Sequence, residues 1–130
     1  MSIIFTNGCF DIIHRGHLEL LKFCRENGST VIVGINSDES IKRLKGSHRP
    51  VNSEGDRKFL LESLNFIDKV FVFKEDTPYN LIKQLKPDII VKGGDYKIED
   101  VVGNDLCEVR IFKYVEGYST TKTIQNLTSR

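Results

Sequence analysis

At 130 residues, with 39% hydrophobic and 28% charged side chains, the chain is sized for one soluble domain around one core. Lysine and arginine total 19 against 18 acidic residues, a balance that argues against a nucleic-acid partner. No apolar run is long enough to span a bilayer, and the first residues lack the regions of a secretory signal, so no membrane association and a cytoplasmic location are expected. Cys9, Cys24 and Cys107 are odd in number and widely spaced, which suits reduced thiols rather than a zinc site.

Taken in order, Ser2 to Asn7 reads as a short buried strand that leads into a glycine turn. A helix follows from about Arg15, with Leu18, Leu20, Leu21, Phe23 and Cys24 on its apolar face and Asn27-Gly28 as its stop signal. The β-branched run Val31 to Ile35 suits a strand covered on both faces. Asn36-Ser37-Asp38 offers caps for a short helix over Glu39 to Leu44, and Lys45 to Asn52 is a polar loop. Ser53 caps a further helix whose expected inner face is Phe59, Leu60, Ser63, Leu64 and Ile67.

Val70 to Phe73 is a third strand, and its phenylalanines suit either core or a homodimer surface. Thr77 is the expected cap of the next helix, with Pro78 in its first turn and Leu81, Ile82 and Leu85 buried. Ile89 to Val91 is a strand ending abruptly at Lys92-Gly93-Gly94-Asp95-Tyr96. A short helical stretch from Glu99 to Leu106, a strand from Val109 to Tyr114 and a helix opened by Gly117 to Thr121 complete the chain. Strands alternating with helices predict an α/β Rossmann-like single domain over residues 1–130. Its sheet should be five-stranded and mostly parallel, with helices on both faces.

Ligands bind such sheets at the carboxyl ends of the strands. Four loops reach that edge: the turn Asn7 to His17, the Lys45 loop, the Lys92 to Tyr96 turn and Gly117 to Thr121. The first and last are glycine turns that open helices, which offers backbone N–H groups to an anion; capping alone would explain the hydroxyls of Ser119, Thr120 and Thr121 equally well. His14 and His17, three apart, share a helix face and can address one bound group, whereas a metal pair would sit four apart with a carboxylate ligand. No resident metal site is therefore expected. Gly16 suits a close approach to backbone, and Cys9 either packs under the turn or serves as a thiol near a helix N-terminus.

The stretch Thr6-Asn7-Gly8-Cys9-Phe10-Asp11-Ile12-Ile13-His14-Arg15-Gly16-His17 resembles the signature of the cytidylyltransferase-like nucleotidyltransferase superfamily, a Phe-Asp pair followed by His-x-Gly-His. Asn36-Ser37-Asp38, Leu44-Lys45-Gly46, Arg49-Pro50-Val51-Asn52, Glu75-Asp76-Thr77-Pro78, Val91 to Tyr96 and Gly117 to Thr121 are similar to one branch, the adenylyltransferase domains of ADP-heptose synthases of lipopolysaccharide core assembly. Those domains are often fused to a sugar kinase, and none is present in this sequence. The segment between Gly103 and Val109 is shorter than in that branch.

The resemblance implies transfer of a nucleoside monophosphate from a nucleoside triphosphate, most readily ATP, to a sugar phosphate such as heptose 1-phosphate. CTP with glycerol 3-phosphate is the alternative; a pantetheine- or FAD-type adenylyltransferase and a non-catalytic nucleotide-binding module are further ones. It assigns His14, His17 and Lys45 to catalysis, and Asn7, Gly8, Cys9, Phe10, Gly16, Gly93, Asp95, Tyr96, Ser119, Thr120 and Thr121 to the nucleotide. Asp11, Lys45, Arg49 and Arg57 are expected toward the acceptor, although Asp11 could equally fix its own turn and Arg57 could be a surface helix charge. Mg²⁺ bound through the nucleotide's own oxygens is expected.

Overall fold

β-Branched runs with no polar face become strands, and the amphipathic segments between them become the helices that cover both faces. The computed structural model describes residues 2–113, in the order β1 (Ile3–Gly8), α1 (Arg15–Asn27), β2 (Thr30–Asn36), α2 (Asp38–Lys45), α3 (Glu54–Glu62), β3 (Lys69–Phe73), α4 (Tyr79–Leu85), β4 (Ile89–Gly93) and β5 (Glu108–Phe112). The five strands form one sheet in the order β3-β2-β1-β4-β5, and every pairing is parallel. The α/β architecture predicted from the sequence is thus present, with a fully parallel sheet. The C-terminal helix expected after Gly117 lies outside the described residues, as does the Tyr114 end of the last expected strand.

Residue parity along the strands divides the core into two layers. Ile4, Val31, Val33, Ile35 and Val91 pack with Leu20, Leu21 and Cys24 of α1 and with Leu61 of α3. Phe5, Ile32 and Ile90 pack on the other side with Ile82 of α4 and with Val101. Burying the Cys24 thiol in the first layer pushes its pKa up to about 12, so it stays protonated. Phe73 is buried and Phe71 packs against the second layer, so both serve the core.

Several local expectations change. Gly28 ends α1 in an extended conformation (φ −156°, ψ 161°) rather than a left-handed cap, and its reason is steric. A Cβ there would stand 2.2 Å from Cγ1 of Ile4, so only glycine lets the chain pass the first strand. Thr77 does not cap α4; Pro78 occupies the N-cap position, without a side-chain cap bond. The stretch expected to be helical from Glu99 to Leu106 is a single 3₁₀ turn at Ile98–Asp100 followed by turns.

The larger correction concerns α3. Phe59 and Leu60 are exposed, while Arg57 and Leu61 are fully buried, with Leu64 and Ile67 packing beyond the helix end. Arg57 and Leu61 are four residues apart and share a helix face, but the face turns inward to satisfy a cation. Arg57 Nη1 donates to the carbonyls of Cys9 (2.9 Å) and Asn36 (2.7 Å), and its Nε to that of Asn52 (3.0 Å). Its Nη2 donates to Asp38 Oδ1 at 2.8 Å. The guanidinium therefore ties together the ends of β1 and β2, the start of α2 and the loop before α3. It is neither a surface charge nor a substrate contact, because its donors are committed inside the protein.

Replacing Arg57 with Met leaves three buried or partly buried carbonyls and the Asp38 carboxylate without their donor, and stability to urea is expected to fall by about 3–5 kcal/mol. Lysine should not restore it, since one ammonium cannot span the fork of a guanidinium. A loss below about 1 kcal/mol for Arg57→Met would show that the buried cation does not organise this edge.

Candidate active site

The edge of the sheet opens between β1 and β4. β1 pairs with β2 over six residues, from Ile3–Thr30 to Gly8–Ile35, but with β4 only at Ile4–Ile89 and Phe5–Ile90. The chain winds one way from β1 to β2 and β3, and the other way from β4 to β5, so this is the switch point where an open parallel sheet presents a crevice. The turn from β1 into α1 stands directly over it.

Within that turn Phe10 takes a left-handed conformation (φ 48°), which side chains seldom adopt without surrounding support. Its ring is buried and lies 5.0 Å from that of His17. Phe10 was expected as a nucleotide contact; its burial makes it instead the floor on which the histidines rest. Asp11 follows, fully buried, and its carboxylate accepts from the backbone N–H groups of Val51 (2.8 Å) and Asn52 (2.8 Å) and from Nε of Arg49 (3.1 Å). Asn52 returns a bond from Nδ2 to the Asp11 carbonyl at 2.6 Å. Asp11 therefore does not face an acceptor. It clasps the loop after α2 onto the histidine turn, which is the turn-fixing alternative extended to a partner loop.

His14 is the N-cap of α1 and His17 its third residue. His14 Nδ1 accepts from the Gly16 N–H at 3.1 Å, and His17 Nδ1 accepts from the His14 N–H at 3.2 Å. This is a capping box built from two imidazoles in place of the usual hydroxyl and carboxylate. The rings stack at 3.9 Å between centroids with 22° between planes. Because each Nδ1 accepts, a neutral ring must carry its proton on Nε2, so both histidines are set as Nε2–H donors. Burial, then the charges of His14 and Lys45, bring the His17 pKa down to about 3, and burial also lowers that of His14. At neutral pH these are uncharged donors rather than imidazolium ions.

The positive charge comes from two lysines. Lys45, the last residue of α2, is exposed, and its ammonium is close enough to depress both His17 and Lys92. Lys92, on β4, has its pKa lowered first by burial and then by Lys45, while Cys9 acts in the opposite direction. Its Nζ lies 5.1 Å from the centroid of the Tyr96 ring. Lys92 was not among the residues singled out from the sequence. The available signal was parity: Lys92 is two residues beyond Ile90 and shares its face, so a lysine in a buried strand had to end in the crevice.

The remaining expected residues divide. Asn7 and Gly8 end β1, and Gly16 is buried in the first turn of α1. Cys9 is half-buried, its Sγ donating to Asn36 Oδ1 at 3.8 Å. Gly93 ends β4, with Asp95 and Tyr96 exposed beyond it. Arg49 is largely buried, and its Nη2 has no partner among the described residues. Ser119, Thr120 and Thr121 lie outside the described residues. Among the described residues no group of three or more His, Cys, Asp or Glu side chains is placed to hold a metal ion, and no helix is long and apolar enough to cross a membrane.

A turn of this form at the switch point of a parallel sheet defines a cytidylyltransferase-like domain. The family's sequence pattern matches residues 5–126, and the chain belongs to that family. Among its relatives, the bifunctional protein HldE of Nitratiruptor sp. is 56% identical over 128 residues, and that of Campylobacter concisus 54% identical over 127. The matches take in 98% and 97% of this chain but 28% and 27% of those proteins, so the chain spans little more than a quarter of their length. The lipopolysaccharide core biosynthesis protein of Thermoplasma volcanium superposes with a TM-score of 0.73 at 27% identity, over 92% of this chain and 99% of that one. Pantothenate synthetase of Thermus thermophilus, at 20% identity and a TM-score of 0.61 over 88% of this chain and 56% of that one, shares the fold.

The depressed pKa of His17 makes stability depend on acid. An unfolded histidine takes a proton near pH 6.5, whereas the native one does so only near 3, so between these values the unfolded state binds more protons and stability falls as pH falls. Glutamine at position 17 can keep the capping bond but cannot titrate. Between pH 7 and pH 4 the wild type is expected to lose roughly 3 kcal/mol more stability than His17→Gln. Equal losses in urea titrations at the two pH values would mean that His17 is not held neutral.

Proposed function

We propose that the chain is a nucleotidyltransferase that moves a nucleoside monophosphate, AMP from ATP in the favoured reading, onto a sugar phosphate such as heptose 1-phosphate and releases pyrophosphate. The observation that carries this reading is the pair of stacked histidines fixed as Nε2–H donors over the switch-point crevice, with the Lys45 ammonium beside them. Similarity along nearly the whole chain to HldE proteins, and to a protein of lipopolysaccharide core biosynthesis, supports the choice of a sugar phosphate acceptor.

The chemistry suits such groups. The attacking oxygen belongs to a phosphate that is already anionic, so the reaction needs no general base. Catalysis then rests on alignment and on stabilising charge that builds on the equatorial oxygens of the α-phosphorus and on the departing pyrophosphate. His14 and His17 donate from fixed positions to the α- and β-phosphates, and their neutrality costs no proton on binding. Lys45 offsets the charge that accumulates when two anions are brought together. On the sequence pattern, Ser119, Thr120 and Thr121 hold the β- and γ-phosphates. Mg²⁺, expected with a nucleoside triphosphate, would supply charge neutralisation and would be held mainly by the nucleotide rather than by side chains of this chain. The imidazole and ammonium groups around the turn are not a donor set for a resident hard cation.

His17→Ala and Lys45→Ala are each expected to lower kcat for pyrophosphate release on the order of a hundredfold or more while leaving the fold intact. Turnover within a fewfold of wild type in either variant would exclude these roles. The substrates are separated by offering ATP, CTP, GTP and UTP against heptose 1-phosphate and glycerol 3-phosphate. Release with ATP and heptose 1-phosphate is the expected outcome, and preference for CTP with glycerol 3-phosphate would replace it with the cytidylyltransferase reading.

A further inference from the structure

Little of α2 is held by the core, although its last residue is Lys45. Of Asp38–Lys45 only Ser40 and Ile41 are buried. The first turn is fixed at the Arg57 end: Asp38 Oδ1 accepts from Arg57 Nη2, and the Asp38 N–H donates to Glu54 Oε1 at 3.0 Å. The Ser37 hydroxyl caps the helix by accepting from the Ser40 N–H at 3.1 Å. Toward the far end, Arg43 pairs with Asp76 and donates to the Lys74 carbonyl, but these contacts stand in solvent and contribute little. The end that carries the catalytic ammonium therefore depends on what happens at Ser40 and Ile41.

Ser40 belongs to a chain of side-chain hydrogen bonds that crosses the tips of three strands. Asn36, the last residue of β2, is buried, and its Nδ2 donates to Ser40 Oγ at 3.0 Å. Ser40 is fully buried and donates its hydroxyl proton to the carbonyl of Glu75, just past β3, at 3.0 Å. On the other side, Asn36 Oδ1 accepts from the Cys9 thiol, just past β1, at 3.8 Å. The direction of this relay is forced. A hydroxyl has one proton, and Ser40 gives it to Glu75, so Ser40 can only accept from Asn36. The Asn36 amide is thereby oriented with its oxygen toward Cys9. A carboxylate at position 36 would bring no proton for Ser40, and an aliphatic side chain would bring neither donor nor acceptor.

We propose that Asn36 is a positioning residue for nucleotidyl transfer, which acts through Ser40 to set where α2 ends and so where Lys45 stands against the histidine turn. This role presupposes the nucleotidyltransferase reading and deepens it. Asn36 touches neither substrate; it refers the lysine, the turn after β1 and the loop after β3 to one buried frame. The leverage is large because Lys45 lies five residues beyond Ser40. That separation is about 7.5 Å along the helix, so a tilt of about 10° at Ser40 carries the Lys45 backbone about 1.3 Å. A shift of that size costs alignment-dependent catalysis on the order of a hundredfold.

Two variants break the relay at different links: Ser40→Ala removes one oxygen, and Asn36→Leu keeps the volume of the carboxamide without its polar atoms. Both are assayed with the full chain, at a temperature where thermal melts show them folded. In steady-state pyrophosphate release with ATP and heptose 1-phosphate, each is expected to lower kcat roughly tenfold or more, with KM for ATP within about twofold of wild type. In a Lys45→Ala background, adding Ser40→Ala should lower kcat by less than about twofold, because a residue that acts through Lys45 then has nothing to place. An unchanged kcat in Ser40→Ala, or losses that multiply in the double variant, would overturn the proposal. Independently of turnover, the amide resonances of Lys45 and Gly46 in the free protein should shift in Ser40→Ala and in Asn36→Leu; resonances that stay in place would overturn it as well. A wild type that releases no pyrophosphate from any nucleotide and acceptor would defeat the transferase reading. Shifted Lys45 and Gly46 resonances would in that case still uphold the hold of Asn36 on the end of α2.

Discussion

The site depends on a buried carboxylate, that of Asp11, which is wholly consumed by the protein. By accepting from the backbone of Val51 and Asn52 and from Arg49, it fastens the loop after α2 to the turn after β1. Arg57 works one layer below, gathering the carbonyls of Cys9, Asn36 and Asn52. An anion and a cation, both buried and each held by several hydrogen bonds, thus lock three loops into one edge. The cost of burying such groups is recovered only when every donor and acceptor is matched, so the arrangement tolerates little displacement. That rigidity is what a reaction relying on alignment requires.

On this base the histidines do two tasks with one geometry. Each uses Nδ1 to cap the helix, and the cap fixes both the ring orientation and the tautomer. A hydroxyl or carboxylate cap would stabilise α1 as well, but only imidazole leaves a donor on its far side. His17 packs against Phe10 and stacks on His14, and burial lowers the pKa of both rings, which keeps them neutral at neutral pH. The site therefore separates its labours: histidines supply directed hydrogen bonds, and lysines supply charge.

Those lysines approach the crevice from different elements, Lys45 from the end of α2 and Lys92 from β4. Burial is the main reason the pKa of Lys92 is lowered, and the like charge of Lys45 adds to it. Such an arrangement is stabilised when an anion stands between them. The pairing of β1 with β4 stops at Phe5 and Ile90, which leaves the crevice open beside them.

Much was legible without coordinates. Periodicity placed all five strands and most helices, because continuous β-branched runs and amphipathic segments differ in pattern whatever surrounds them. The Phe-Asp and His-x-Gly-His spacing pointed to an anion site, since helix capping and face-sharing are local effects. The direction in which Arg57, Asp11 and Phe10 point was not legible. Each sits where local pattern expects exposure or ligand contact; Arg57 and Asp11 were drawn inward by partners far away in sequence, at Asn36 and Val51, and Phe10 by the core layer it joins. Phe59 and Leu60 turned outward for the same reason. Lys92 was overlooked because its importance comes from the gap between two strands, which exists only when they are side by side. By itself, the sequence determined the α/β class and the strand-to-helix turn that carries the two histidines, because these follow from local backbone chemistry. Tertiary structure alone decided which charged residues became scaffold and which faced the cleft, because matching buried donors to acceptors depends on contacts across the whole sheet edge.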